Sequence, residues 1–112
     1  MERQEKAELV ERLTEEALHA LPEPLASAAQ ELLITVSQQT GADLYGEFLG
    51  LPKGTEPGLG EPPPEITIYA EALVTDFTDV ESLRREVRRT LVHEIGHYLG
   101  LSEQDLQARD LE

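Results

Sequence analysis

His93 and His97 stand four residues apart in the run His93-Glu94-Ile95-Gly96-His97. On an α-helix, residues four apart rise about 6 Å along the axis and differ by about 40° around it, so both imidazoles can converge on one metal ion. Glu94 falls on the neighbouring stripe, within reach of a water beside that ion, where it can act as a general base without displacing a ligand. Such a trio suits hydrolysis by a metal-activated water. A catalytic zinc usually takes three protein ligands and leaves its fourth position open, so a third donor is needed. The continuation Tyr98-Leu99-Gly100-Leu101-Ser102-Glu103 offers one: Gly100 permits a chain reversal that returns Glu103 toward the ion. Asp105 is the alternative. The expected site is therefore Zn²⁺ on His93, His97 and Glu103, with Glu94 as the base. A His₂-carboxylate set also accepts iron, cobalt or manganese.

These side chains need a helix to carry them, and the sequence marks one. Thr78 and Glu81 form a capping-box pattern, and Val80, Leu83, Val87 and Leu91 follow on one face. The helix should run to Leu99, end at Gly100, and be followed by a short helix over 103–109. Upstream, Val10, Leu13, Ala17 and Leu21 recur at helical spacing until Pro22 and Pro24 close the pattern, which predicts an amphipathic first helix. His19, near its end, reads as a partly exposed terminal residue. After a Pro/Ala connector, Glu31 to Ser37 is β-branched, with Leu32, Ile34 and Val36 on one face, and reads as a strand. The Gly- and Pro-rich stretch from Gly41 to Pro64 predicts a long surface loop. Ile66-Thr67-Ile68-Tyr69 is a second strand, and the prolines before it suit a sheet edge that could accept an extended peptide.

Composition narrows the function further. At 112 residues, the chain should form a single domain, 1–112. There is no cysteine, which excludes disulfides, a thiol nucleophile and thiolate zinc sites. A net charge of −14 argues against a nucleic-acid partner. Arg84, Arg85, Arg88 and Arg89 are gathered bases, but they read as a solvated helix face paired with Glu81 and Glu86. No apolar run approaches the roughly 18 residues of a membrane span, and the polar N-terminus carries no leader pattern; both suggest a cytoplasmic protein.

The pattern H-E-x-x-H-x-x-G-x-x-acid resembles that of the zincins, with the tight spacing of the metzincins. It departs from metzincins in placing Glu103 where His or Asp is usual and in having no methionine besides Met1 for a Met-turn. The chain is more similar, over most of its length, to the minimal bacterial zincin-like metallopeptidases, formerly a domain of unknown function. Gly46-Glu47-Phe48-Leu49-Gly50-Leu51-Pro52 matches their G-x-Y-x-G-x-P stretch, and Pro63 to Tyr69 matches their P-x-x-I-x-x-Y strand. Phe48 stands in place of Tyr and Glu103 in place of Asp. The resemblance implies an α+β fold, a minimal zincin in which a small mixed sheet packs against an N-terminal helix and the H-E-x-x-H helix.

The expected function is zinc-dependent hydrolysis of peptide bonds, with peptides or unfolded proteins as substrates. Glu94 would pass the proton to the leaving amine, and Tyr69 and Tyr98 are the nearest donors for an oxyanion, though each reads first as a packing residue. Two alternatives compete: metal-dependent RNA hydrolysis, and a non-catalytic zinc or partner-binding module. An exposed strand edge is also compatible with a homodimer.

Overall fold

A computed structural model describes residues 1–55 and 62–111. The longest element is the helix that carries the candidate site residues, here α4, and the described residues form eight elements in all. In chain order these are α1 (Arg3–His19), α2 (Leu25–Ala29), β1 (Leu33–Ser37), β2 (Gly46–Leu49), β3 (Glu65–Tyr69), α3 (Ala70–Asp76), α4 (Val80–Leu99) and α5 (Glu103–Ala108).

Helix α4 begins one residue later than the capping pattern implied. Asp79, not Thr78, is the N-cap, and its carboxylate accepts the Ser82 backbone N–H at 2.9 Å. Leu83, Val87, Leu91 and Ile95 are fully or almost fully buried at four-residue spacing, each stabilising the fold by about 1.5–3 kcal/mol relative to exposure. Val80, which the same pattern included, remains exposed. This face packs against the buried row of α1, Val10, Leu13 and Ala17. Gly100 ends α4 with φ 75°, a left-handed conformation that glycine adopts without the Cβ penalty.

The sheet has three strands in the order β1-β3-β2, with β1 parallel and β2 antiparallel to β3. The chain is thus α+β with a small mixed sheet, as the resemblance implied. Two expectations are corrected. Glu65–Tyr69 is the central strand, paired on both sides, so it offers no free edge to a peptide; Pro62 to Pro64 precede the ladder and cost it no donors. The expected loop from Gly41 to Pro64 contains β2, because Glu47 and Phe48 pair across Thr67 and Ile66 despite the flanking glycines. Residues 56–61 of that stretch lie outside the described residues.

Smaller departures have local causes. The Pro/Ala connector contains α2, whose Leu25 and Ala28 are buried, since an alanine-rich turn after proline is a good helix former. It continues into Glu31 and Leu32, whose N–H groups bond back to Ala28 and Ala29, so β1 starts at Leu33 rather than Glu31. Helix α3 follows β3 without a break, at a place where no helix was expected. No helix among the described residues is long and apolar enough to cross a membrane.

Candidate metal centre

The last turn of α4 and the first of α5 bring two of the expected donors together. After the reversal at Gly100, the Leu101 N–H bonds to the Gly96 carbonyl at 2.8 Å, closing the end of α4. Ser102 caps α5: its hydroxyl accepts the Asp105 N–H at 3.0 Å, and the Asp105 carboxylate accepts the Ser102 N–H at 2.8 Å. Asp105 is thereby engaged in the cap, while Glu103 projects with its side chain 59% exposed. Glu103 Oε1 lies 3.8 Å from His93 Nε2. Two donors of one tetrahedral zinc stand about 3.3 Å apart when their bonds are ~2.0–2.1 Å long, so this separation is near that of co-ligands.

Glu94 sits against the same turn with only 13% of its side chain exposed. Burial raises its carboxyl above the usual carboxylate range, and His97, a hydrogen bond from the Phe48 backbone N–H and His93 pull it back down. The Glu94 carboxylate meets His97 Nδ1 at 3.1 Å. His97 therefore rests on Glu94 rather than joining His93 and Glu103. Among the described residues no group of three or more His, Asp or Glu stands in metal-holding geometry. The donor types still fit zinc, two imidazoles and a carboxylate with no thiolate, and His97, 61% exposed, is not packed in place.

Strand β2 forms one wall beside this turn. At Gly46 a Cβ would stand 2.5 Å from Thr90 Cγ2, so β2 and α4 approach more closely than any other residue allows. The approach places Phe48 beside both Glu94 and the ring of Tyr98, 5.8 Å away. A groove of about 490 Å³ opens from Glu94 and His93 toward the N-terminus of α4, bordered by Leu44, Tyr45, Phe77 and Arg89. Sequence reasoning assigned no role to Leu44, Tyr45 or Phe77. The signal for β2 was present, in the match of Gly46 to Pro52 to a family stretch.

Neither tyrosine proposed as an oxyanion donor has an idle hydroxyl. Tyr98 donates to Glu31 at 2.7 Å, and Tyr69 makes a long contact of 3.4 Å to Glu47. Lys53 completes the first of these by pairing with Glu31, and its N–H bonds to the Tyr98 carbonyl at 2.7 Å, which ties the segment after β2 to the end of α4. Of the arginines, Arg84 pairs with Glu81, as expected, and with Glu16.

The family model described as zincin-like metallopeptidase matches residues 16–112, a span that contains all of these site residues. No curated protein gives a significant match.

Proposed function

The chain belongs to the zincin-like metallopeptidase family, and from that premise we propose that it hydrolyses peptide bonds with a zinc ion held by His93, His97 and Glu103. One observation carries the reading: Glu103 meets His93 across the Gly100 reversal at 3.8 Å, one residue from a largely buried carboxylate, Glu94. When bound, zinc would supply a Lewis acid for the carbonyl and a more acidic water.

The chain's own groups do the rest. Glu94 takes the proton from the attacking water and delivers it to the leaving amine, and the burial that raises its pKa suits it to both transfers. His97 is the ligand that must turn away from Glu94, and the same movement releases the carboxylate for proton transfer. The Phe48 N–H orients Glu94 from the β2 side. Strand β2 has one partner, β3, among the described residues, and we assign its open edge the role of pairing with an extended substrate. An open groove fits peptides and unfolded segments better than folded proteins.

The test is zinc content after purification without added metal, for the parent and for His93→Ala, Glu103→Ala and Asp105→Ala, followed by hydrolysis of a quenched peptide library. We expect about one zinc per chain, lost with His93 and weakened with Glu103 but not with Asp105, and cleavage that requires the metal. A parent that binds no zinc at any concentration would remove the basis of the assignment.

A further inference from the structure

Residues four apart on α4 form the stripe Arg85, Arg89, His93 and His97, so a basic ridge leads into the candidate centre. Its members differ in what they meet. Arg84, off the stripe, is held by Glu16 and Glu81, and Arg85 reaches the Ser82 hydroxyl at 3.3 Å. Arg89 makes no hydrogen bond or ion pair among the described residues, although Glu86 and Glu94 border the same groove. It is the one arginine that lines the groove together with His93 and Glu94.

Across from Glu86 and Thr90, the groove has an apolar wall. Tyr45 and Phe77 meet edge to face with ring centroids 5.4 Å apart, and the Tyr45 hydroxyl is tied to Asp76, so the aromatic wall is pinned at both ends. Leu44, 49% exposed, adds apolar surface at the mouth. An aromatic wall beside a guanidinium that no described residue pairs suits an apolar side chain next to a carboxylate. Arg89 is one helical turn, about 6 Å, from His93, and an extended chain rises about 3.3 Å per residue. A carboxylate on Arg89 would thus belong to a residue one or two positions from the bond being cut.

We propose that Arg89 is a specificity-determining residue that reads a carboxylate on the substrate, while the groove walled by Leu44, Tyr45 and Phe77 takes the adjoining apolar side chain. The inference rests on the reading of this cleft as peptide-binding. The carboxylate is either a free C-terminus or an Asp or Glu side chain. In a chain of net charge −14, a cation at this point is what would let an acidic peptide approach the centre.

The experiment uses metal-free protein, so that no metal can recruit the carboxylate, and follows backbone amide shifts by NMR. The probes are acetyl-Phe-Asp-amide against acetyl-Phe-Asn-amide, and acetyl-Gly-Phe with a free carboxylate against its amide. At least one acid should bind about five-fold more tightly than its neutral partner, as an exposed ion pair of up to ~1 kcal/mol allows, with shifts at Leu44, Gly46 and Thr90. The pair that discriminates identifies the source of the carboxylate. Arg89→Gln should abolish the preference, and Arg88→Gln, a change outside this groove, should keep it. Equal binding of acid and neutral forms, no shifts at the groove, or a preference that survives Arg89→Gln overturns the proposal. Arg89-dependent binding of a single-stranded RNA without any acid preference would overturn it in favour of nucleic acid. A preference intact in protein whose zinc form cleaves no peptide would uphold this inference and sink the proposed hydrolysis.

Discussion

Leu106 rests on Gly96 so closely that a Cβ added to the glycine would stand 3.1 Å from Leu106 Cδ1. Gly96 lies between the two histidines, and Leu106, 2% exposed, is the buried residue of α5. The contact fixes α5 against α4, and with it the distance from Glu103 to His93. The glycine thus positions Glu103, seven residues further along the chain.

Removing that contact should therefore weaken metal binding without removing any of the proposed donors. Leu106→Ala is expected to cost about 2–5 kcal/mol of stability, as large-to-small changes in cores do. It should also lower zinc affinity at least about ten-fold in competition with a chromogenic chelator. Leu25→Ala, equally buried but in α2, serves as the control for general destabilisation. Equal zinc affinity in Leu106→Ala and the parent would show that α5 does not set the site.

Gly46→Ala should destabilise the chain by about 1–3 kcal/mol through overpacking. The obstructing atom is Thr90 Cγ2, and Thr90 cannot easily turn away, since its hydroxyl bonds to the Glu86 carbonyl at 2.7 Å. Thr90→Ser removes the methyl group and keeps the hydroxyl, so in that background the cost of Gly46→Ala should shrink. Thermal unfolding of the four proteins in the cycle measures it; additive effects would mean that the contact does not limit the approach of β2.

Glu94→Gln keeps the shape of the side chain and removes the base. Peptide hydrolysis should fall at least about 100-fold while zinc content stays at the parental level. Full activity in this variant would assign proton transfer to another group.

Glu31 gives stability an acid limb. The hydrogen bond from Lys53, followed by that from Tyr98, holds its carboxyl below the usual value. A group whose pKa is lower in the folded than in the unfolded chain stabilises the fold above its unfolded pKa, about 4.5. That contribution fades as pH falls through the folded pKa. Glu31→Gln should accordingly reduce stability at neutral pH and flatten its decline below about pH 4.5, with the two proteins converging in acid. Parallel stability curves across this range would refute the linkage.

Part of the architecture was legible because it depends on neighbours in sequence. The row Leu83, Val87, Leu91 and the glycine at position 100 are local signals, and they set α4 and its end within a residue or two. The same periodicity placed His93, Glu94 and His97 on one turn. Strand β2 was not legible from pattern, because its four residues carry little β-branched or alternating character and are held by β3 and by the fit of Gly46 on Thr90. The position of β3 was misread for a related reason: proline before a strand says which residues cannot donate, not how many neighbours the strand has.

The sequence by itself determined the helix, the donor types and their order along the chain, since a 3.6-residue period and a left-handed glycine act within a few residues. Tertiary structure decided which strands kept a free edge among the described residues, which groove Arg89 shares with Glu94, and that His97 rests on Glu94 while Glu103 faces His93. The strand edges and the groove depend on packing between elements far apart in the chain, and the contacts of His97 and Glu103 on side-chain conformation and on how α5 seats against α4. The fit of Leu106 on Gly96 and of Gly46 on Thr90 is a matter of contact distances, which no spacing of residues along the sequence encodes.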